Sequence, residues 1–184
     1  MKTILNHIVF GISMTLLFLA SACKTETISQ TELKLERYAV TTKDFPKGWA
    51  FVGEDWNSES GKESYSTNYS VPNKDPIGFG QTIAIYPDQA RAQNGYLEWE
   101  KKWFSVGEKW PGTEFTPQDS NDEYRYECIQ IFLDKSIISC TFLQKHNELV
   151  VLILVNIDGK EITFSQFNEV LRVLDERLNN VTLD

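Results

Sequence analysis

Apolar and polar residues alternate with period two from Glu63 to Val71, where Tyr65, Thr67, Tyr69 and Val71 oppose Ser64, Ser66, Asn68 and Ser70. That period predicts a half-buried strand. A short aromatic segment, Trp49 to Asp55, precedes it. Phe79 to Tyr86 alternates again, with Ile83 and Ile85 on one side, and Pro87-Asp88 then opens a helix that runs to about Phe104. After a loop rich in glycine and proline, residues 106–122, the pattern returns. Tyr124 to Leu133, Ile137 to Lys145 and Leu149 to Ile157 read as three further strands. The last, LVVLILVNI, is apolar at both parities, which predicts a central strand covered on both faces. Asp158-Gly159 turns the chain into a helix from Phe164 to about Asn179. The order is βββα-βββα, and its short connections favour antiparallel hairpins. The expected fold class is α+β: an antiparallel sheet of about six strands with helices packed on it, in one domain over residues 33–184. The two halves share no residue-level repeat.

The two helices differ in pattern. At about 100° per residue, Phe164, Phe167, Val170, Leu171, Leu174 and Leu178 fall on one side of the second helix. Thr163 followed by Gln166 reads as a capping box, so this helix is expected to be structural. In the first helix, Ala90, Leu97 and Phe104 form one stripe, and Tyr96, Trp99 and Trp103, with Ala92, form another displaced by roughly 100–120°. Two readings stay open. The loop carrying Trp110 and Phe115 folds over the second stripe, or Tyr96, Trp99, Trp103 and Trp110 form an exposed surface for a glycan, small ligand or envelope protein, since amphipathic aromatics favour interfaces.

Residues 1–22 follow a different logic. Lys2 precedes an uncharged apolar run, IVFGISMTLLFLA, and then Ala20-Ser21-Ala22-Cys23. A cation, a short apolar run and small residues make a signal peptide, the run falling short of the roughly 20 apolar residues of a membrane span. The stretch LASAC resembles the lipobox of bacterial lipoproteins. That resemblance implies cleavage before Cys23, diacylglycerol on its thiol and a membrane-anchored, exported protein. Lys24, rather than an acid, then implies the outer membrane if the cell is Gram-negative. Ala20 and Ala22 also fit ordinary secretory cleavage at the same bond. Residues 23–32 are polar and read as a tether. The stretch Asp44-Phe45-Pro46-Lys47-Gly48-Trp49 resembles a D-L-P-x-G-W landmark of small extracellular lipoprotein and sensor domains, with Phe45 in place of Leu. That likeness runs over residues 38–180 and implies a PsbP-like α/β sandwich; many such proteins have no known activity. Phe45 and Trp49 are expected to anchor this entry to the core.

There are three cysteines, Cys23, Cys128 and Cys140. An acylated Cys23 leaves an even pair in an oxidising compartment. If residues 124–133 and 136–145 form a hairpin with Cys128 facing Cys140, then Tyr126 faces Phe142, Gln130 faces Ile138 and Phe132 faces Ser136. Leu133-Asp134-Lys135 is then a three-residue loop. Directly opposed positions suit a disulfide. The alternative is a reduced core pair.

Composition narrows the function. The 184 residues carry 18 Lys and Arg against 26 Asp and Glu, a formal charge of -8, which disfavours nucleic acid as a partner. Common zinc motifs, a nucleophile elbow and a P-loop are absent, so no metal or other cofactor is expected. His146, the lone histidine of the mature chain, reads as a solvated turn residue. Asp119, Asp122 and Glu123, with Asn121, have the chemistry for a weak calcium ion but lack the EF-hand pattern, and read as solvated loop acids. The expectation is a non-enzymatic cell-envelope lipoprotein that binds a protein or small ligand. The alternative is a small carboxylate-dependent hydrolase acting on glycans or esters.

Overall fold

The computed structural model describes residues 34–59, 62–104, 115–119, 121–130 and 137–180. Residues 1–22, the tether with Cys23, the loop Leu133-Asp134-Lys135, the pair Phe132 and Ser136, and Trp110 lie outside the described residues. Six strands form one antiparallel sheet: β1 (Ala50–Glu59), β2 (Lys62–Ser70), β3 (Gly78–Ile85), β4 (Glu123–Gln130), β5 (Ile138–His146) and β6 (Leu149–Ile157). Their spatial order is β1-β2-β3-β6-β5-β4. Each half is a meander, and β3 joins β6 from Phe79 opposite Val155 to Ile85 opposite Leu149. The α+β class and the element order agree with the hydrophobic pattern. The first strand runs four residues beyond its expected end and is mostly exposed, as an edge strand is.

The sheet's two faces are covered unequally. On one face lies α2 (Phe164–Asn180), which sinks Phe167, Val170, Leu171, Leu174 and Leu178 into a core shared with β2 to β6. Its capping box is present: Thr163 N donates to Gln166 Oε1 at 2.9 Å, and Gln166 N donates to Thr163 Oγ1 at 3.3 Å. The N-terminal segment shares this face. Phe45 stacks on Trp49 with centroids 5.1 Å apart and meets Phe79 edge-on at 4.8 Å. Trp49 Nε1 donates to the Glu161 carbonyl at 3.3 Å, tying the segment to the turn before α2. Between the two rings Gly48 holds φ at 108°, a turn conformation that side chains resist.

On the other face lies α1 (Gln89–Trp103), against β5 and β6. Its start is capped by Asp88, whose Oδ1 accepts from Arg91 N at 2.8 Å. Here the structure chooses between the two stripes. The stripe turned to the sheet is Ala92, Gly95 and Tyr96, packed with Leu143, Val150 and Leu152, while Leu97 is 49% exposed. The cause is a close approach: the ring of Tyr86 fills the place a side chain at position 95 would take, and a Cβ on Gly95 would lie 2.1 Å from Tyr86 Oη. Only the glycine side of α1 can lie over that ring.

The disulfide Cys128–Cys140 is formed, in the register read from the sequence: Tyr126 pairs with Phe142 and Gln130 with Ile138.

Two measurements check this packing. Gly95→Ala should destabilise the fold by about 1–3 kcal/mol through overpacking, and Tyr86→Leu added to it should recover part of the loss in denaturant unfolding. Replacing both Cys128 and Cys140 by serine should cost about 3 kcal/mol for a separation of 12 residues, seen as a lower unfolding midpoint than the oxidised protein.

Candidate functional site

Strand parity builds the site. With Cys140 turned to the α2 face, Phe142, Gln144 and His146 follow it at every second residue. Residues 115–119 cross the same end of the sheet. Phe115 meets Phe142 edge-on at 5.4 Å, and Pro117 is buried. Asp119 closes a turn, its Oδ1 accepting from the Asn121 amide at 2.9 Å and from Asn121 Nδ2 at 3.0 Å. The turn delivers Asp122 beneath His146.

There a polar network has formed inside the α2-side core. His146 Nδ1 lies 2.9 and 3.1 Å from the two oxygens of Asp122, and Nε2 lies 3.1 Å from Asn147 Nδ2. With Asn147 donating to Nε2, the neutral ring carries its proton on Nδ1 and donates it to Asp122. The Gln144 amide nitrogen donates to Asp122 Oδ2 at 2.7 Å and to Asp175 Oδ1 at 3.1 Å. Asp175 is 1% exposed on α2, and its Oδ2 accepts from Gln118 N at 2.9 Å. Gln144 Oε1 is buried and has no hydrogen-bond partner among the described residues. The Asp122 hydrogen bond holds the His146 imidazole above its ordinary value, outweighing the burial that pulls it down.

This corrects the reading of the turn histidine and the loop acids as solvated. The side chains of His146 and Asp122 are 12% and 4% exposed. Parity sends His146 under the crossing segment instead of out from the turn. Glu123, one residue on, takes the opposite face, where it meets Lys145 at 3.6 Å and Gln93 Nε2 at 2.8 Å. Of the three acids read as a loop cluster, Asp119 and Asp122 belong together and Glu123 does not. The ligand atoms of Asp119, Asp122 and His146 lie within 4.8 Å of one another, so these three are the residues placed to share a cation.

Of the four aromatic residues expected as a binding surface, the three among the described residues do not share one environment. Tyr96 is 5% exposed and belongs to the core under α1, where burial pushes its phenol up to about 12. Trp99 is half-buried against that core, with Lys62 Nζ 5.6 Å from its ring. Trp103 is 38% exposed, with Lys102 Nζ 5.1 Å from its ring. The outward side of α1 therefore offers Trp103 and Leu97, and Tyr96 is not part of it.

Two acids on that face, Glu100 and Glu127, are engaged. Arg125 bridges Glu100 at 3.0 Å and the buried Glu127 at 3.3 Å, and its guanidinium lies 4.6 Å from the Phe104 ring centre. A cleft of about 400 Å³ between α1 and the β1–β2 end is lined by Glu59, Lys62, Tyr86, Arg91 and Glu98. A groove of about 500 Å³ lies over Asn68, Gly80, Leu154 and Asn156.

No family model matches the chain, and no curated protein matches it in sequence. Among solved structures it is similar to the extracellular domain of PknH from Mycobacterium tuberculosis, at 10% identity and a TM-score of 0.57. That similarity covers 82% of this chain and 97% of the other. It is a likeness of fold, and the matched structure is an extracellular domain.

Asp175→Ala should remove the acceptor shared by Gln118 N and Gln144 Nε2 and cost roughly 1–3 kcal/mol, Gln118 N losing its partner and Gln144 Nε2 keeping only Asp122. Amide exchange at Gln118 should accelerate in the same variant and less so in Asp175→Asn, which keeps one acceptor oxygen. Unchanged exchange at Gln118 would show that Asp175 does not hold the crossing segment.

Proposed function

We propose that this chain is an exported lipoprotein of the bacterial cell envelope that acts by binding, not catalysis. On this reading residues 1–22 are removed, Cys23 carries the diacylglycerol, residues 23–32 are the tether, and the domain of residues 33–184 stands in the aqueous space beside the membrane. Two acyl chains suffice for stable residence. One observation carries the proposal. Cys128 and Cys140 bond to each other across β4 and β5, which leaves Cys23, in the stretch LASAC, as the one remaining sulfhydryl of the three. A disulfide fits an oxidising compartment, and a lone cysteine behind a signal peptide fits acylation. Among the described residues no helix is long and apolar enough to cross a membrane, so lipid is the attachment this reading supplies.

Binding is favoured over a carboxylate-dependent hydrolase at Glu100 and Asp122 by the partners those two acids hold. Such chemistry needs two carboxylates free to face a substrate. Glu100 is held by Arg125, and Asp122 by His146 and Gln144. His146 Nε2 faces the amide of Asn147, and among the described residues no serine or threonine hydroxyl is hydrogen-bonded to it. The outward side of α1, with Trp103 and Leu97, is the surface we assign to an envelope protein or glycan.

Protein extracted from membranes should have an intact mass above that of the polypeptide beginning at Cys23 by one diacylglycerol or more. A fatty-acid analogue fed to cells should label the wild type and not Cys23→Ser. An unmodified mass for the wild type would remove the anchor and the account of its cysteines.

A further inference from the structure

We propose that Asp119, Asp122 and His146 form a binding site for a divalent transition-metal ion, with zinc as its probe. The inference is independent of the lipid anchor. Three observations lead to it. The first is geometry: one carboxylate oxygen from each aspartate and one imidazole nitrogen lie within 4.8 Å of one another. Ligands about 2.0–2.2 Å from a common ion stand at most about 4.4 Å apart, so a small inward movement of the half-exposed Asp119 closes the set around an ion. The second is charge. Counted as carboxylates, the buried Asp122 and Asp175 and the half-exposed Asp119 bring three negative charges to one end of the α2-side core, and among the described residues His146 is the side chain placed to offset them when protonated. Among the described residues no lysine or arginine pairs with any of the three, although Arg125, Lys145 and Arg177 each have an acid elsewhere. Buried anions without a cation are costly.

The third observation is Gln144. It is wholly buried, its amide nitrogen binds Asp122 and Asp175, and its amide oxygen has no partner among the described residues. The two amide atoms are about 2.2 Å apart by covalent geometry. The unused oxygen is therefore within reach of water on an ion held by Asp122. An orphaned buried acceptor in a native core calls for an explanation, and an ion with its water supplies one.

The donor set selects the metal class. Two carboxylates and an imidazole favour zinc, manganese or cobalt over calcium and magnesium, which take oxygen alone. On binding, the single proton of the neutral His146 ring passes by way of solvent from Nδ1 to Nε2, and Nδ1 gives its lone pair to the metal. The proton of the neutral ring then sits on Nε2, and the Asn147 amide turns its oxygen to accept it. Asp122 keeps its bond from Gln144, which fixes the carboxylate as outer partners of metal ligands do. Asp119 is half-exposed, so the remaining coordination positions face solvent.

The test uses the mature, membrane-extracted protein without a histidine tag, stripped by chelator. His146 is the only histidine beyond residue 7, so its ring nitrogens give one assignable pair of signals. One equivalent of zinc should bind, shift the Nδ1 resonance, and raise Tm by roughly 5–10 °C at a hundredfold excess over Kd. His146→Gln and Asp119→Asn should each weaken zinc at least about tenfold. Asp119→Asn is the decisive variant, because its half-exposed side chain can change without opening the core. The proposal fails if zinc does not saturate below about 100 µM. It fails equally if Asp119→Asn and His146→Gln bind as the wild type does. Calcium binding as tightly as zinc with no movement of the imidazole signals would also overturn it, since the site would then be carboxylate alone.

Discussion

The antiparallel pairing of β3 with β6 is the contact on which the rest of the structure depends. Each half of the chain is a three-stranded meander with a helix after it, and a meander alone leaves two open edges and one bare face. Joining β3 to β6 makes six strands from three and three and places both strands in the interior. β6 can sit there because it is apolar at both parities: Leu149, Val151 and Ile153 serve the α2 side, while Val150 and Leu152 serve the α1 side. β3 supplies Phe79 and Ile83 to one face and Ala84 to the other, small enough for the chain to pass close under α1. Each helix can then cover a surface to which both halves contribute, and neither half has a complete core without the other.

What could be read from the chain, and what could not, follows the range of the interactions. β6 has its expected bounds, because its composition alone requires cover on two faces. The β4–β5 register was legible because the spacing of Cys128 and Cys140 ties two positions together and strand parity carries that tie along the hairpin. The Thr163–Gln166 box is a local device and formed as its spacing requires. The rotation of α1 is a different case. Both stripes are credible by periodicity, and the choice rests on Tyr86 filling the place of a side chain at Gly95, which no count of apolar residues contains. The polar network is less legible still, since it joins residues 118, 122, 144, 146 and 175 from three separate segments. A partial signal did exist. The register that pairs Cys128 with Cys140 already points Gln144 and His146 to the same face, and Asp175 follows Leu174 and precedes Leu178 on the buried side of its helix.

A polar network inside the larger of two cores calls for a physical account. The chain leaves α1 on one face of the sheet and returns at residue 115 on the other, where Phe115 packs on Phe142. A segment that changes faces brings backbone amides with it, and the Gln118 amide arrives where α2 is already packed. Asp175 meets that amide from the helix, and Gln144 joins Asp175 to Asp122. Three apolar side chains in these places would leave Gln118 N without a partner, a loss comparable to that of a whole hydrogen bond. The network thus works as a clasp fixing the crossing segment to both β5 and α2. It also draws several acids to one place, a by-product that a purely structural clasp has no reason to favour.

The contrast between the two faces bears on where function can lie. The α2 face is closed by a helix and by the N-terminal segment, with Val40 N bonded to Gln81 Oε1 at 2.9 Å and Tyr69 Oη donating to the Val40 carbonyl at 2.7 Å. The α1 face is closed over β5 and β6 only. Beyond the helix its residues turn polar: Ser66 bonds Thr82 at 2.9 Å, Asn156 donates to the Pro76 carbonyl at 2.8 Å, and Asn68 is exposed. An antiparallel sheet tolerates this arrangement, one part dry and one part wet, where a parallel sheet does not. The consequence is a division of labour by surface. Stability rests on the face where the cysteines, the aromatic cluster and the clasp are found. The face that holds α1 keeps a groove beside Asn68 and Leu154 and an exposed tryptophan that the fold does not need for its own closure, which is where a partner can be met without disturbing the core.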